Sequence, residues 1–136
     1  MKMHIKPSNN IGDLNAAFRE EFLYLKLAFF SKPHHAYKGS AAKFLLTDPT
    51  LSVKDMVSQT HEGDIFIEDD MPTWQVERLF ESEFGLHVQI FRKSGSIWLE
   101  TSVSDDLTLE RQNAKGRSSE KFKMPIAEPM DYREQD

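Results

Sequence analysis

Few side chains in this 136-residue chain have both the type and the spacing that metal binding or nucleophilic catalysis requires. His34 and His35 are adjacent, and adjacent side chains of an extended chain point to opposite sides, so the two rings seldom bind one metal ion. The remaining histidines, His4, His61 and His87, are scattered along the chain. The chain has no cysteine, which excludes disulfides, thiol nucleophiles and thiolate metal sites. We therefore predict that the protein holds no metal ion and no cofactor.

Carboxylates occur in two groups, at residues 68–70 and at Asp105 and Asp106. Two acids can act as general acid and base when a cleft holds them apart and shifts their pKa values. Both groups, however, precede a predicted helix, where carboxylates commonly cap backbone N–H groups. The serines occur in no nucleophile motif, and the sequence has no glycine-rich phosphate loop. We predict no catalytic residue; an enzyme that joins residues 68–70 to His34 or His35 is the third functional hypothesis.

The large aromatic side chains are the better candidates for a binding surface. Trp74 lies at the start of a predicted helix and Trp98 in a predicted strand. Tryptophan is common in cores and also at the energetic centres of interfaces, and both interpretations stay open here. Near the C-terminal end, the segment "FKMPIAEPM" at 122–130 is apolar enough to dock on a partner or on the chain's own sheet. The candidate partner-binding residues are Trp74, Trp98, Phe122 and Met124.

The elements that position these residues follow a pattern that occurs twice. The apolar residues of "IGDLNAAFREEF" at 11–22 fall on one face of a helix. Those of "TWQVERLFESEF" at 73–84 have the same spacing, with Phe80 in the place of Phe18. The sequence therefore predicts two amphipathic helices with matching buried faces.

Strands are predicted after each of these helices. "LKLAFF" at 25–30 and "LHVQIF" at 86–91 both alternate between an apolar and a mixed face. After the second strand, "RKSGS" at 92–96 predicts a tight hairpin in which Gly95 takes a positive φ. A returning strand is then expected at 97–103.

Weaker sequence patterns predict the remaining strands and short helices of each copy. A return strand is predicted at 43–47 in the first copy, and strands at 3–7 and 64–69 precede the long helices. Short helices are predicted at 49–58 and 107–114. The residues predicted to lie at helix termini are Asp48, Asp70, Thr73, Gly85, Asp105 and Asp106.

The order of these motifs resembles a group of small uncharacterised bacterial proteins, in which a helix–strand–strand–aspartate unit often occurs twice. The matching segments are "VERLFESEFGLHVQIF" at 76–91 and "SDDLTL" at 104–109, and 14–30 and 47–51 match more weakly. The first copy departs from the pattern at Leu23, where glycine is usual, and at Pro49. The resemblance covers about 100 residues, and because its motifs are structural it implies no activity and no catalytic residue.

The pattern predicts an α+β fold made of two tandem βαββ units, each followed by a short helix and packed together as one compact domain. The units are residues 1–60 and 61–114, and each has half of a hydrophobic core, so that the two pack about a pseudo-twofold axis. Residues 115–136 have mixed charge and no sustained periodicity, and we predict a flexible tail there.

Composition narrows the functional classes. The chain is 39% apolar and 29% charged, which is typical of soluble globular proteins, and no apolar run approaches the roughly 20 residues of a membrane span. A net charge of −5 argues against nucleic-acid binding. We expect a non-catalytic interaction or assembly module in the cytoplasm, with an unknown protein partner or a second copy in a homodimer. A regulator that binds a small molecule or nucleic acid between the two units is the second hypothesis.

Overall fold

The computed structural model of the protein describes residues 1–33 and 42–121. These residues form a mixed helix and sheet fold, consistent with the predicted α+β class. In chain order the elements are β1 (Lys2–Ile5), α1 (Ile11–Glu21), β2 (Leu25–Phe30), β3 (Leu45–Leu46), α2 (Val53–Met56), β4 (Gly63–Phe66), α3 (Thr73–Phe84), β5 (His87–Ser94), β6 (Ile97–Glu100) and α4 (Leu109–Lys121). None of the described helices has the length and the apolar character that a membrane crossing requires.

The strands form two antiparallel sheets. A four-stranded sheet has the order β3-β2-β5-β6, and β1 pairs with β4 in a separate ribbon. At the centre of the larger sheet, Leu27 lies opposite Ile90 and Phe29 lies opposite Val88. Because alternate side chains of a strand share a face, these four apolar residues all point to one side of the sheet.

The hydrophobic core lies on that side and includes residues from both long helices and both sheets. Phe18 of α1 and Phe80 of α3 are completely buried. Burying one such ring contributes about 1.5–3 kcal/mol to stability. The β1–β4 ribbon contributes Ile5 and Ile65 to the same core. The core therefore draws on residues from both ends of the described chain.

The ends of the two long helices have clear local causes. The Asn10 side chain accepts a hydrogen bond from the Asp13 N–H (2.7 Å), and the Asp13 carboxylate accepts one from the Asn10 N–H (3.0 Å). This reciprocal capping box fixes the start of α1. Gly85 ends α3 with a φ of 70°, which confirms its predicted role, because a left-handed residue there favours glycine.

Other predicted helix caps were wrong. Helix α2 begins at Val53, and Asp48 instead accepts hydrogen bonds from the backbone N–H (2.9 Å) and the hydroxyl (2.7 Å) of Thr50. The N-cap position of α3 is Pro72, so neither Asp70 nor Thr73 caps this helix. Helix α2 therefore starts four residues later than predicted, whereas α3 covers its predicted range, 73–84, with a different N-cap residue.

Helix α4 also differs from its prediction at both ends. The Thr108 hydroxyl accepts a hydrogen bond from the Arg111 N–H (3.2 Å), whereas Asp105, a predicted cap, is only 1% exposed. The helix continues to Lys121, so residues 115–121, predicted to be the start of a flexible tail, are helical. This part of the tail is ordered because Ser119 of α4 bonds to the β5–β6 hairpin. Residues 122–136 lie outside the described ranges.

Strand β6 is shorter than predicted. It ends at Glu100 rather than at residue 103, because the Thr101 hydroxyl donates a hydrogen bond to the Ile90 carbonyl (2.7 Å). A side-chain hydrogen bond thus replaces the next bond of the backbone ladder. The hairpin before β6 agrees with its prediction, and Gly95 has a φ of 61°.

Candidate functional site

Trp74, the first candidate residue, lies half-buried in the first turn of α3. Its backbone N–H donates a hydrogen bond to the Asp105 carbonyl (3.0 Å). The guanidinium carbon of Arg78, one turn along the helix, lies 5.2 Å from the centre of the indole ring. One cation therefore covers part of Trp74, and the prediction that Trp74 anchors a partner stays a prediction.

The two acidic segments lie side by side through their backbones, because the Glu110 N–H donates to the Asp69 carbonyl (2.9 Å) and the Trp74 N–H to the Asp105 carbonyl (3.0 Å). Residues 68–70 are exposed, Asp106 is exposed and Asp105 is buried. Within residues 1–33 and 42–121, no group of three histidine or carboxylate side chains is placed to hold a metal ion. Four sequence candidates lie outside the described residues, and their roles stay predictions: His34, His35, Phe122 and Met124.

Trp98 stands on the face of the four-stranded sheet that is turned away from the core. It pairs with Lys93 between β5 and β6, and Phe91 pairs with Lys26 between β2 and β5. Since alternate residues share a face, all four side chains stand on the side opposite Ile90. We call this side of the sheet the Trp98 face.

Three cations surround the Trp98 ring. The Lys26 Nζ atom lies 5.0 Å from the ring centre, the Lys93 Nζ atom 5.4 Å, and the Arg19 Cζ atom 5.1 Å. Each distance is within the roughly 6 Å at which a cation is attracted by the face of an aromatic ring. We call Arg19, Lys26, Lys93 and Trp98 together the Trp98 cluster.

Helix α1 positions Arg19. One turn earlier, the Asn15 amide donates to the Leu27 carbonyl (2.8 Å) and accepts from the Leu27 N–H (2.8 Å). These two bonds hold this side of α1 against the backbone of β2, so the next residue on the same side, Arg19, lies near the start of that strand. The Arg19 guanidinium donates to the Leu23 carbonyl (3.0 Å), which ties it to the α1–β2 connection.

Helix α4 positions Lys93. The Ser119 hydroxyl accepts a hydrogen bond from the Gly95 N–H (3.0 Å), and its single proton faces the carbonyls of Gly116 (2.7 Å) and Lys93 (3.3 Å). The Lys93 ammonium group also lies 3.3 Å from a carboxylate oxygen of Glu120. The last turns of α4 therefore hold the hairpin that carries Lys93 and partly neutralise its charge.

The charges of Arg19 and Lys26 are not neutralised in the same way. Burial lowers the pKa of Lys26, and the neighbouring positive charge of Arg19 lowers the same pKa further. In the described part of the chain, no carboxylate lies within ion-pair distance of either side chain. Glu100 is exposed on the same face but pairs with neither. This arrangement is suited to binding a carboxylate or another anion beside an aromatic surface.

Sequence reasoning selected Trp98 but not its three cations. Arg19, Lys26 and Lys93 come from α1, β2 and β5, so no local spacing connects them. One signal was present, because Lys26 is the single charged residue in the strand "LKLAFF". A lysine at a mixed-face position of a central strand indicates that this face is not ordinary core.

Comparison with protein-family models, with curated proteins and with solved structures found no match for the chain.

Proposed function

We propose that the protein is a non-catalytic interaction module that binds an acidic segment of a partner protein at the Trp98 cluster. The observation that supports this proposal is that Arg19 and Lys26 flank a half-buried indole and that neither has an ion-pair partner among the described residues. Like charges held close together raise the energy of the folded state, and a carboxylate ligand lowers it. Tryptophan and arginine are also the residue types most enriched at the energetic centres of interfaces.

An acidic protein segment fits this surface better than a nucleic acid does. Nucleic-acid binders usually present an extended basic stripe, and the whole chain here carries a net charge of −5. The cluster offers three cations, one of which, Lys93, is already paired with Glu120. Two or three carboxylates on a peptide match that charge, whereas a long phosphate backbone would be repelled by the rest of the surface.

A fluorescence titration of the full chain tests the proposal. The chain has two tryptophans, so Trp74→Phe leaves Trp98 as the reporter. A short peptide of alternating Glu and Val should change the Trp98 emission saturably. Lys26→Met should weaken binding by about tenfold, because it removes a charge that contacts the ligand. Arg78→Gln is the matched control, since it removes a cation that lies over the other indole.

Three outcomes would overturn the proposal. The first is no saturable response to the Glu–Val peptide, and the second is equal binding of a Lys–Val peptide. The third is preferential binding of a single-stranded oligonucleotide, which would support the nucleic-acid-binding regulator instead.

We also propose that residues 1–60 and 61–114 are tandem copies of one βαββα unit. Support comes from backbone hydrogen bonds that join the segment before each long helix to the segment before the following helix. The residue numbers of corresponding positions differ by 62 in the segment before the long helix (9 and 71, 11 and 73). They differ by 56 in the segment before the following helix (51 and 107, 53 and 109). The bonds are Ile11 N–H to Leu51 C=O (2.9 Å), Val53 N–H to Asn9 C=O (2.8 Å), Thr73 N–H to Leu107 C=O (2.9 Å) and Leu109 N–H to Met71 C=O (3.0 Å).

Side chains at corresponding helix positions support the same proposal. Asn15 and Glu77, again 62 apart, accept hydrogen bonds from strand N–H groups of Leu27 (2.8 Å) and Ile90 (2.9 Å). A chain in which 11–22 is replaced by a copy of 73–84 should still unfold cooperatively. Replacement by 109–120, a helix with a different packing face, is the control and should abolish folding. Loss of folding in both chains would contradict the duplication.

The cellular setting is part of the proposal. The absence of cysteine suits a reducing compartment, and the family resemblance points to a bacterial source. We infer a module of the bacterial cytoplasm from these two features.

A further inference from the structure

We infer that the acidic segment binds as an added β-strand along the outer edge of β6, beside the Trp98 cluster. This inference depends on the proposed function and gives the binding geometry and the class of partner. The partner segment is an extended peptide in which acidic and apolar residues alternate.

The outer edge of β6 has no neighbouring strand in the described parts of the chain, because β6 ends the order β3-β2-β5-β6. The Lys93 N–H donates to the Tyr24 carbonyl on the β2 side of β5 (2.9 Å). Lys93 therefore forms no backbone hydrogen bond with its partner Trp98. Along two antiparallel strands, residue pairs without backbone hydrogen bonds, such as Lys93 and Trp98, alternate with hydrogen-bonded pairs. The N–H and C=O groups of Trp98, and by the same alternation those of Glu100, point away from β5.

These outward groups are open to a partner. No residue within 1–33 or 42–121 forms a hydrogen bond with them. Edge strands are usually protected by proline, by several charges or by a bulge. Strand β6 reads "IWLE" and has only one charged residue and no proline. Ile97 at its start is 45% exposed. The edge thus presents two donors, two acceptors and an apolar side chain.

The side chains of β6 determine what an added strand should carry. Alternate residues of a new strand point to opposite faces of the sheet. On the Trp98 face they meet the Trp98 ring with its three cations and also the carboxylate of Glu100, and the three cations outnumber the carboxylates of Glu100 and Glu120. On the other face they meet Ile97 and Leu99, which pair with Ser94 and Arg92 across the hairpin. Acidic residues on one side and apolar residues on the other complement the two faces.

A second copy of this chain fits the same edge less well. Two β6 strands paired about a twofold axis place both Trp98 clusters on the same face of the joined sheet. The charges of Arg19 and Lys26, which pair with no carboxylate of residues 1–33 and 42–121, would then lie on the same face as their counterparts, which opposes association. Charge complementarity therefore favours an acidic strand from a different protein.

Backbone methylation of the peptide tests the geometry directly. In an extended peptide, alternate N–H groups face the neighbouring strand, so N-methylation of one alternate set should block addition and methylation of the other should not. With the full chain and the Glu–Val peptide, we expect one methylated peptide to bind about tenfold more weakly and the other within about twofold of the parent. Amide exchange at Trp98 and Glu100 should slow on binding, while exchange at Ile97 and Leu99, which already face β5, should change little.

The outcomes separate the two proposals. If both methylated peptides bind like the parent, the added-strand inference is overturned while the proposed function stands. If the parent peptide itself does not bind, the proposed function fails. Concentration-dependent dimerisation with slow exchange at Trp98 and Glu100 in the absence of peptide would also overturn the inference, because a second copy would then occupy the edge.

Discussion

The ammonium group of Lys26 lies 5.0 Å from the centre of the Trp98 ring, although Lys26 belongs to β2 and Trp98 to β6, and β5 runs between them. The contact spans three strands, so the indole and the ammonium group both extend across β5. The Phe91 ring of β5 lies 5.7 Å from the same ammonium group. Lys26 is therefore partly removed from water between two aromatic rings, and this placement is the physical cause of its lowered pKa.

Binding of an acidic segment should therefore depend on pH through Lys26. A carboxylate beside the ammonium group favours its charged form, so the Lys26 pKa is higher in the complex than in the free protein. The affinity is then full below the lowered pKa of the free protein and falls as pH rises through it. Titrations of Trp98 fluorescence across alkaline pH measure this change. In Lys26→Arg, which stays charged, the fall should be much smaller, and an equal fall in both proteins would contradict the assignment to Lys26.

The sequence predicted strand β2 well, but it predicted the edge strands β3 and β6 too long and missed most of the Trp98 cluster, for physical reasons. Strand β2 matches its predicted range, 25–30, because Leu25, Leu27 and Phe29 share one face and a slip of one residue would turn them away from the core. The range of α3 was predicted correctly but its N-cap was not, because the Thr73 N–H and hydroxyl both bond to the Leu107 carbonyl, a contact between residues distant in sequence. The cluster depends on contacts of the same kind, since Arg19 reaches Trp98 only after α1, β2 and the hairpin have packed. Local sequence patterns carry no information about contacts between residues that are distant in sequence.

Asn15 should be essential for the stability of the α1–β2 contact. Its amide satisfies both the N–H and the C=O of Leu27, and a leucine of similar size would leave both groups unpaired. We expect Asn15→Leu to lower the free energy of unfolding by about 1–3 kcal/mol in urea denaturation. Asn15→Asp should also destabilise, because a carboxylate accepts from the N–H but repels the carbonyl. Ala16→Asp adds the same charge at an exposed neighbour, and an equal loss there would show that charge alone is responsible.

His4 should make stability depend on pH near neutrality. Its Nδ1 lies 2.6 Å from a carboxylate oxygen of Asp64 and its Nε2 2.5 Å from one of Glu62, so the protonated ring donates to both. The bond to Asp64, followed by that to Glu62, raises the His4 pKa above its usual 6.5. The resulting stabilisation is fully present below the unfolded-state pKa and is lost as pH rises through the raised pKa.

Urea unfolding of wild type and His4→Gln on both sides of that range measures the effect. The difference in stability between the two proteins should be larger at about pH 6 than at about pH 9. An NMR titration of the His4 ring gives its pKa directly. A constant difference between the proteins at the two pH values would mean that these contacts do not depend on the charge of His4.

Gly116 should resist the substitution that usually stabilises a helix. At an exposed position inside a helix, Gly→Ala raises the free energy of unfolding by about 1 kcal/mol. Gly116, however, is buried in α4, and an added methyl group would lie 2.6 Å from the Tyr24 Cβ atom and 3.1 Å from its carbonyl oxygen. Helix α4 would have to move away from β2, and we expect Gly116→Ala to destabilise by about 1–3 kcal/mol. Ser118→Ala, at an exposed position of the same helix, should be neutral or slightly stabilising. The Ser119 hydroxyl of α4 contacts the Lys93 carbonyl, so the shifted helix should also disturb the Trp98 cluster. We therefore expect Gly116→Ala to alter Trp98 emission in the folded protein. Unchanged stability and unchanged emission would contradict the close packing of α4 on Tyr24.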